Sequence, residues 1–431
     1  MGPLNLKTAF EKITAKPLRE FDYRKLRAIT ILRLREMNSP TKPEIERFLD
    51  QTYRNKDGRT HITSDYWDSF VREIKELEQS RKEDQKADFK HLKKMKLWGR
   101  LVTGLGYATG WILPNPISAC LLALGNYTRW AMVFHPISHG SMDHISGISK
   151  RYKSDNFAVG WRRYADWLDW IEPKNWNVEH NLMHHHYLGT SKDPDIVSRN
   201  TQLIRELKIP LFFKKLFSLL LAGSWKFSYY APNTLIEYRN FHDRSNTTKI
   251  TPRLWNPFLK EGREVWIKSI IPYFIFKFVL IPSLFLMISN KAALFILINS
   301  LFAEVLTNIY SFCTIATNHT GDDVVTFSSG TANKADYYLR QIIGSVNYPS
   351  QNDFQDFCYG GMNYQIEHHI WPSASVYQCQ KLRPKLIAIC QKYEIPYREE
   401  PLGKRVIKLM NAITLPDGGE IELSSMESIK C

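Results

Sequence analysis

The chain has 431 residues, a formal net charge of +15 and a mean hydropathy of −0.33, a length that suits two or three ordinary domains or one membrane domain with extensions. We expect no nucleic-acid partner, because no basic segment is interleaved with aromatic residues that could stack on bases; the charge favours a basic surface facing a membrane. The six cysteines form no CxxC pair, which argues against a thiolate metal site and a secreted disulfide scaffold.

Residues 1–97 are predicted to form a charged, helical region in the cytosol. Within 64–96, apolar residues such as Trp67, Phe70 and Ile74 recur at a spacing of three to four, which is typical of an amphipathic helix. The intervening Lys, Arg and Glu residues indicate a solvated helix face. The region has no HPGG segment, which excludes a haem-binding domain of the cytochrome b5 type within it.

Strongly apolar stretches begin at residue 97 and predict membrane-spanning helices, which need about 20 mostly apolar residues. The first two stretches are short, and Arg129 interrupts the second, so a buried hairpin of a globular domain is the alternative interpretation. A further stretch at 209–225 contains Lys214 and Lys215 and is predicted to lie in the membrane interface. The four predicted spans are residues 97–113, 117–134, 266–288 and 292–316.

Ten of the 13 histidines lie in short clusters beside these spans. Neutral imidazole is the commonest metal ligand in proteins, and one zinc ion takes only three or four ligands. The number of candidates therefore predicts two metal ions. Residues four apart share one helix face, so each cluster offers two or three rings to one point. The ten are His135, His139, His144, His180, His184, His185, His186, His319, His368 and His369.

The topology allows all these clusters to share one site. The early clusters follow the second span, and His319, His368 and His369 follow the fourth, so two crossings separate them and all emerge on the same membrane face. Basic residues between Lys90 and Arg100 flank the first span, which places that face in the cytosol. The predicted fold is an all-α integral membrane domain of four transmembrane helices, with a cytosolic helical cap that carries the dimetal site and with both termini cytosolic.

The kind of metal follows from the ligand chemistry. The zinc-protease HExxH helix is absent, and so is the paired Glu-x-x-His pattern of soluble di-iron bundles. A histidine-rich, carboxylate-poor site beside a bilayer favours di-iron and dioxygen. Ligating histidines donate their second ring N–H to a carboxylate or a carbonyl. The acids placed to accept such a proton are Asp143, Glu179, Asp193, Asp195, Asp322, Asp323 and Glu367.

These motifs together resemble the three histidine boxes of the membrane fatty acid desaturases, over residues 98 to 390. His135–His139 resembles the first box, HxxxH, and His180 with His184–His185 resembles the second. The second box here has a three-residue gap, unlike the commoner HxxHH, and in this it is similar to the membrane alkane hydroxylases. The segment 360–372, GGMNYQIEHHIWP, resembles the third box of front-end acyl desaturases, and Gln341 and Asn347 upstream fit the same segment.

The resemblance implies a set of metal ligands. Three further residues match the family pattern less well: His144, His186 and Gln365, of which Gln365 is either a weak ligand or holds a metal-bound water. His319 matches the additional histidine that completes the family's cluster. The implied ligands are His135, His139, His180, His184, His185, His319, His368 and His369.

The resemblance also implies the reaction. Removal of hydrogen from an unactivated methylene needs an oxidant that dioxygen and two electrons generate at two iron ions, and the protein positions one carbon–carbon bond beside them. We expect an acyl-lipid or acyl-CoA substrate and an external donor such as ferredoxin or cytochrome b5. The expected location is the endoplasmic reticulum or a bacterial inner membrane, with a C-terminal cytosolic tail at 391–431. The alternatives are a hydroxylase on the same scaffold, a zinc-dependent membrane hydrolase and a non-catalytic metal-binding membrane protein.

Overall fold

The computed structural model describes residues 64–81, 85–243, 252–321, 323–327, 331, 333–416 and 421–422. Nearly all regular structure in these ranges is helical, as predicted. The exception is one short parallel pair of strands, β1 Val325–Thr326 and β2 Ile421–Glu422.

The α-helices are numbered here in chain order. They are α1 Ser64–Ser80, α2 Gln85–Gly110, α3 Pro116–Thr128, α4 His135–Ser138, α5 Arg163–Asp166, α6 Pro173–Trp176, α7 His185–Tyr187, α8 Val197–Asn200, α9 Gln202–Glu206, α10 Leu211–Ala222, α11 Ala231–His242, α12 Lys260–Val265, α13 Ile271–Phe274, α14 Ile281–Leu284, α15 Asn290–Ile315, α16 Lys334–Ile343, α17 Asp353–Tyr359, α18 Gln365–Ile370, α19 Val376–Lys392 and α20 Leu402–Thr414.

Two other helix types connect many of these α-helices. The π-helices have one residue more per hydrogen-bonded turn than an α-helix and often mark functional sites. They are Arg129–Phe134, Asn177–His184, Lys226–Tyr230, Trp266–Ile270 and Ile275–Leu280. The 3₁₀ turns are Lys150–Tyr152, Gly160–Arg162, Pro252–Trp255, Phe285–Met287, Ala316–Asn318 and Met362–Tyr364.

Two helical runs are long and apolar enough to cross a membrane, Gly262–Met287 and Asn290–Asn318. They correspond to the third and fourth predicted spans. The first two predicted spans fall on α2 and on the run that begins with α3, and the count of four stays a prediction. Helix α2 begins at Gln85, so a single helix passes through the predicted boundary between residues 97 and 98.

The turn between α2 and α3 is fastened to the last of these spans. Asn115 caps α3 by accepting a hydrogen bond from Ser118 N, and Pro116 occupies the first helical turn, where no N–H is needed. Asn299 of α15 accepts a hydrogen bond from Asn115 N at 2.9 Å and donates one to Gly110 O at 2.8 Å. This buried amide therefore fixes the position of the α2–α3 hairpin against α15.

The acidic residue in α15 also serves helix packing. Glu304 accepts hydrogen bonds from Trp170 Nε1 at 2.7 Å, Tyr273 Oη at 2.8 Å and Asn308 Nδ2 at 3.1 Å. A buried carboxylate is tolerated where donors surround it. Glu304 therefore joins the two long apolar runs to the loop that contains Trp170.

The N-terminal helix shares a hydrophobic core with the third histidine box. Phe70 and Ile74 of α1 are fully buried in one cluster with Ile342 of α16, Ile366 of α18 and Leu386 of α19. Burial of large apolar side chains stabilises such a contact by about 1.5–3 kcal/mol each. Helix α18 is consequently held between α16 and α19 and covered by α1.

A tight turn directs the chain into α18. Gly360 ends α17 in the left-handed conformation, with φ +66°, and Gly361 follows at φ +73°. A Cβ atom at Gly360 would lie 2.3 Å from a ring carbon of Tyr127, so only glycine allows this approach. The turn brings the third histidine box back against α3.

Candidate metal centre

Four separate segments bring histidines to one end of the long helical runs. His135 and His139 lie on and just after α4, directly after the π-helix Arg129–Phe134. The second box spans the π-helix Asn177–His184 and the first residue of α7. His319 follows the run Asn290–Asn318, and His368 and His369 lie in the last turn of α18.

The structure gathers the eight predicted ligands into two adjacent groups. Within each group, one ring nitrogen from every member lies within 4.8 Å of the others. The five-histidine group is His135, His139, His180, His185 and His368, and the three-histidine group is His184, His319 and His369.

Neighbouring histidines connect the two groups. His184 and His185 belong to different groups, as do His368 and His369, with ring centroids 5.6 Å apart in each pair. The rings of His185 and His369 stack across the boundary at 4.3 Å. This arrangement is suited to two metal ions held side by side.

The grouping differs from the expected i, i+4 pairing in the second box. His180 pairs with His185, five residues on, at 3.3 Å between their Nε2 atoms, whereas His184 belongs to the three-histidine group. The π-helix over Asn177–His184 explains this, because its i, i+5 repeat brings residues five apart onto one face. His180 Nε2 is also 3.1 Å from His135 Nε2 in the first box.

All three members of the three-histidine group have an acceptor at Nδ1. Asp193 Oδ1 lies 2.9 Å from His184, the carbonyl oxygen of Gly344 lies 3.0 Å from His319, and Gln341 Oε1 lies 3.1 Å from His369. Each acceptor favours a proton on Nδ1 and leaves a lone pair on Nε2. This is the usual way in which proteins orient a metal-ligating imidazole.

The residues present fit a metal. Within the two histidine groups, four buried ring nitrogens have no hydrogen-bond partner among the described residues, namely His139 Nε2, His185 Nδ1, His368 Nε2 and His369 Nε2. A buried polar atom without a partner is costly, and a metal ion would satisfy these lone pairs.

Burial keeps the rings neutral, as metal binding requires, with His184 as the exception. Burial lowers the pKa of His135 to about 3 and that of His319 to about 4, so both rings are neutral at physiological pH. At His184 burial opposes the charged form, but the carboxylates of Asp193 and Asp195 outweigh it and raise the pKa.

The three residues that match the family less well lie in different surroundings. His144 Nε2 is 3.7 Å from Asp88 Oδ2 and 3.5 Å from Gln378 Nε2, and His186 is exposed; neither belongs to a histidine group. Gln365 is buried beside the three-histidine group, hydrogen-bonds to His319 and lines the cavity described below. Of the three, only Gln365 is near the centre.

Of the seven acids predicted to orient the histidines, two lie beside a histidine ring. Asp193 bonds to His184, and Asp195 Oδ2 lies 3.8 Å from the same ring. Four others bond elsewhere, and Asp322 lies outside the described residues. Glu179 accepts a hydrogen bond from Tyr230, Glu367 from Tyr397 and Asn347, Asp143 from Ser154, and Asp323 from Arg405, Arg398 and Lys408.

Two features of the centre were missed by the sequence analysis. The indole of Trp176 stacks on the imidazole of His180, with centroids 4.3 Å apart and planes at 20°. The tryptophan four residues before His180 was a signal for this contact, since i, i+4 residues share a helix face. The Gly344 carbonyl that orients His319 had no signal, because every residue has a carbonyl.

A largely apolar cavity of about 420 Å³ opens at the histidines. His135, His180, His184 and His319 are part of its lining. Phe217 and Leu221 of α10 line another part, and α10 leaves apolar side chains such as Phe212 and Leu220 exposed. The volume is typical of a small-molecule site, and its lining suits a hydrocarbon chain.

Comparison with known proteins identifies the family. A family profile described as fatty acid desaturase matches residues 109–401. The chain belongs to the fatty acid desaturase family. This confirms the resemblance of the histidine motifs and, together with the two long apolar helices, indicates association with a membrane.

The individual relatives are also named as desaturases. The chain is 24% identical over 230 residues to the NADPH-dependent stearoyl-CoA 9-desaturase of Mycobacterium tuberculosis (strain ATCC 25618 / H37Rv), covering 52% of this chain and 51% of that protein. It is 30% identical over 117 residues to Delta(8)-fatty-acid desaturase 2 of Arabidopsis thaliana, covering 27% and 24%, and 22% identical over 307 residues to Fatty acid desaturase 3 of Bos taurus, covering 70% and 62%. The chain thus spans about half the length of the mycobacterial protein. No solved structure matches it.

Proposed function

We propose that this protein is a membrane fatty acid desaturase that introduces a double bond into an acyl chain, carried as an acyl-lipid or as acyl-CoA. The observation that carries the proposal is the apolar cavity whose lining includes histidines from both groups. An acyl chain in this cavity would have its methylenes beside the metal-binding nitrogens. The names of the relatives agree with an acyl substrate.

We propose the two histidine groups as the ligand sets of two iron ions, five rings for one ion and three for the other, with Gln365 beside the second. With dioxygen and two electrons, the bound irons would supply the oxidant that breaks unactivated C–H bonds. The donor would be a separate protein such as ferredoxin or cytochrome b5. His184, His319 and His369 would bind through Nε2, because Nδ1 faces Asp193, Gly344 and Gln341 respectively.

The chain's own contribution is to position the substrate and exclude water. Trp130, Trp176 and Met362 contribute apolar surface to the same cavity lining as the histidines, which disfavours competing polar molecules. Trp176 also restrains His180 by stacking. A fixed acyl chain presents one carbon–carbon bond to the centre, which is the positioning that selective chemistry needs.

The membrane topology is part of the proposal. We propose four spans, with the histidine groups and both termini in the cytosol, and the region 98–390 as the desaturase domain. The two long apolar runs and the basic residues around the start of α2 support this arrangement.

Expression in a host without the activity, followed by mass spectrometry of its lipids and metal analysis of the purified protein, tests the function. We expect acyl products lighter by two hydrogens and two irons per chain. Products heavier by one oxygen would indicate hydroxylation, and a single zinc per chain would refute the di-iron site.

A pair of matched variants tests the ligand assignment. His319→Ala removes a ring of the three-histidine group, whereas His186→Ala changes an exposed histidine outside both groups. We expect His319→Ala to lose iron and turnover and His186→Ala to keep both. Equal iron and turnover in the two variants would show that His319 is not a ligand.

A further inference from the structure

A second cavity, of about 240 Å³, lies between α2, the end of α3 and the apolar run Gly262–Met287. It shares no lining residue with the cavity at the histidines. Its lining is unusually polar for its position beside a candidate membrane span. The polar residues in the lining are Thr103, Tyr107, Asn126, Arg129, Asp169, Tyr273 and Lys277.

Two cations in this lining have no carboxylate partner among the residues that the structure describes. Lys277 is 4% exposed, and its Nζ donates to Tyr107 Oη at 3.1 Å and to Asn126 Oδ1 at 3.0 Å, both uncharged. The side chain of Arg129 makes no hydrogen bond or ion pair with any residue that the structure describes. At membrane depth a charged side chain without a counter-ion is expensive and is by default a candidate functional site.

The neighbouring carboxylates are already engaged. Asp169 lines the cavity, but Lys226 Nζ donates to its Oδ2 at 2.7 Å with both side chains buried. Glu304 accepts a hydrogen bond from Tyr273, which lines the cavity. All three of its hydrogen-bond donors are uncharged. Since Lys226 neutralises Asp169, the positive charges of Arg129 and Lys277 exceed the single charge of Glu304. The cavity is therefore electropositive.

Two of the elements that line this cavity also expose apolar side chains. Thr103 and Tyr107 line it from α2, and Phe276 and Ile281 line it from the Gly262–Met287 run. The same two elements expose large apolar side chains beside it, among them Leu105, Phe274 and Leu280, at 55%, 49% and 52%. A hydrocarbon tail leaving the cavity here would enter the bilayer.

The depth of the cavity suits a lipid head group. Arg129 precedes His135 by six residues on one continuous helical run. The distance along the axis is at most about 9 Å, because a π-helix rises less per residue than an α-helix. The cavity thus lies just beneath the membrane face on which the histidine groups are found. Head groups of the adjacent leaflet are within reach of that level.

We propose that this cavity binds the anionic head of a membrane lipid, a carboxylate or a phosphate, between Arg129 and Lys277. The tail leaves between α2 and the Gly262–Met287 run. Charge-assisted hydrogen bonds from Arg and Lys to such oxygens are the strong ones, and basic pockets between transmembrane helices bind acidic lipids. Because Arg129 and His135 lie on one helix, the bound lipid steadies the segment that carries the first histidine box. This proposal depends on the proposed position of these helices in the membrane and not on desaturase activity.

The full-length protein in detergent, stripped of lipid, provides the test. Dioleoyl phosphatidylglycerol, oleate and dioleoyl phosphatidylcholine are titrated separately, with bound lipid counted by native mass spectrometry and thermal unfolding followed in parallel. We expect one saturable anionic lipid per chain and a raised Tm, with no such effect from phosphatidylcholine. Phosphatidylglycerol alone would identify phosphate chemistry, and oleate alone would identify carboxylate chemistry. Binding of phosphatidylcholine as tight as that of both anions would overturn the proposal.

Variants connect the binding to the cavity. Arg129→Gln and Lys277→Met should each weaken anionic-lipid binding by about tenfold or more. Lys268→Met is the matched control, because Lys268 lies on the same run but is 57% exposed and pairs with Glu264. Should Lys277→Met fail to fold, Arg129→Gln decides, since Arg129 has no bonded side-chain partner to lose among the described residues. Unchanged binding in Arg129→Gln would overturn the proposal whether or not the protein is a desaturase.

Discussion

The hydrogen bond between Asp193 and His184 gives a direct test of how the metal centre is oriented. Asp193 Oδ1 accepts from His184 Nδ1 at 2.9 Å, with each side chain only 3% exposed. Asp193 also accepts from Gly189 N at Oδ2 and from Asp195 N at Oδ1. Burial alone would raise the pKa of Asp193, but His184 and these N–H groups hold it below its usual value, so the carboxylate is ionised.

Asp193→Asn keeps the size of the side chain and removes its charge. An amide has only one acceptor oxygen, so its NH₂ group must face either the N–H of Gly189 or the ring of His184. Either orientation weakens the hold on His184. Loss of such an outer partner typically costs about 10- to 100-fold in metal affinity or activity, which corresponds to roughly 1.4–2.7 kcal/mol.

The measurement is iron retention against a competing chelator of known affinity. Asp143→Asn is the matched control, because Asp143 is exposed and bonds to Ser154 rather than to a histidine. We expect a 10- to 100-fold loss of iron affinity for Asp193→Asn and no change for Asp143→Asn. Equal affinities in the two variants would refute the role given to Asp193.

Two further predictions concern the cavity at the histidines and the C-terminal helix. Leu221→Trp places a larger side chain in the cavity lining and should lower turnover of the longest acyl substrates about tenfold, with normal iron content. Leu220 is 65% exposed and lies outside the lining, so Leu220→Trp should leave this turnover unchanged. Arg405→Met breaks the pair between a fully buried guanidinium and Asp323 and should cost about 3–5 kcal/mol, seen as a lower Tm. The exposed Lys404→Met on the same helix should leave Tm unchanged.

The ligand candidates could be predicted because their signal is local and their topology is simple. Histidine pairs beside apolar stretches can be recognised from the sequence, and an even number of crossings brings distant clusters to one membrane face. The structure assembles all eight strong candidates in two groups. By contrast, the start of α2 could not be placed, because the charged segment before residue 97 continues the same helix that becomes apolar after it.

The orientation of the histidines was only partly predictable. Asp193 follows the second box closely, so its proximity to His184 was a reasonable expectation. Glu367 is adjacent to the candidate ligand His368 in sequence, yet neighbouring side chains on a helix point about 100° apart. It bonds to Tyr397 and Asn347 instead. Sequence adjacency therefore predicts an outer partner poorly, and the tertiary fold decides.

The additional residue in the second box has a physical explanation in its π-helix. In the commoner HxxHH pattern the first histidine and the last are four apart, which an α-helix places on one face. Here His180 and His185 are five apart, and the π-helix Asn177–His184 brings their Nε2 atoms to 3.3 Å. A π-helix accommodates one more residue per turn than an α-helix. It therefore compensates for the additional residue and keeps the two rings in one group.

This reasoning predicts the result of a deletion that would ordinarily abolish a metal site. Leu182 lies between His180 and His184 and is 44% exposed, so its removal takes away few contacts. The deletion should convert the π-turn to an α-turn and restore the HxxHH spacing. We expect the shortened chain to bind as much iron as the unaltered chain. Insertion of an alanine after Leu182 makes the box two residues longer than HxxHH, which one π-turn cannot accommodate. We expect this variant to lose iron while its folded fraction, measured by size-exclusion chromatography, stays unchanged. Loss of iron on deletion in a folded protein would show that the π-helix does more than absorb one residue.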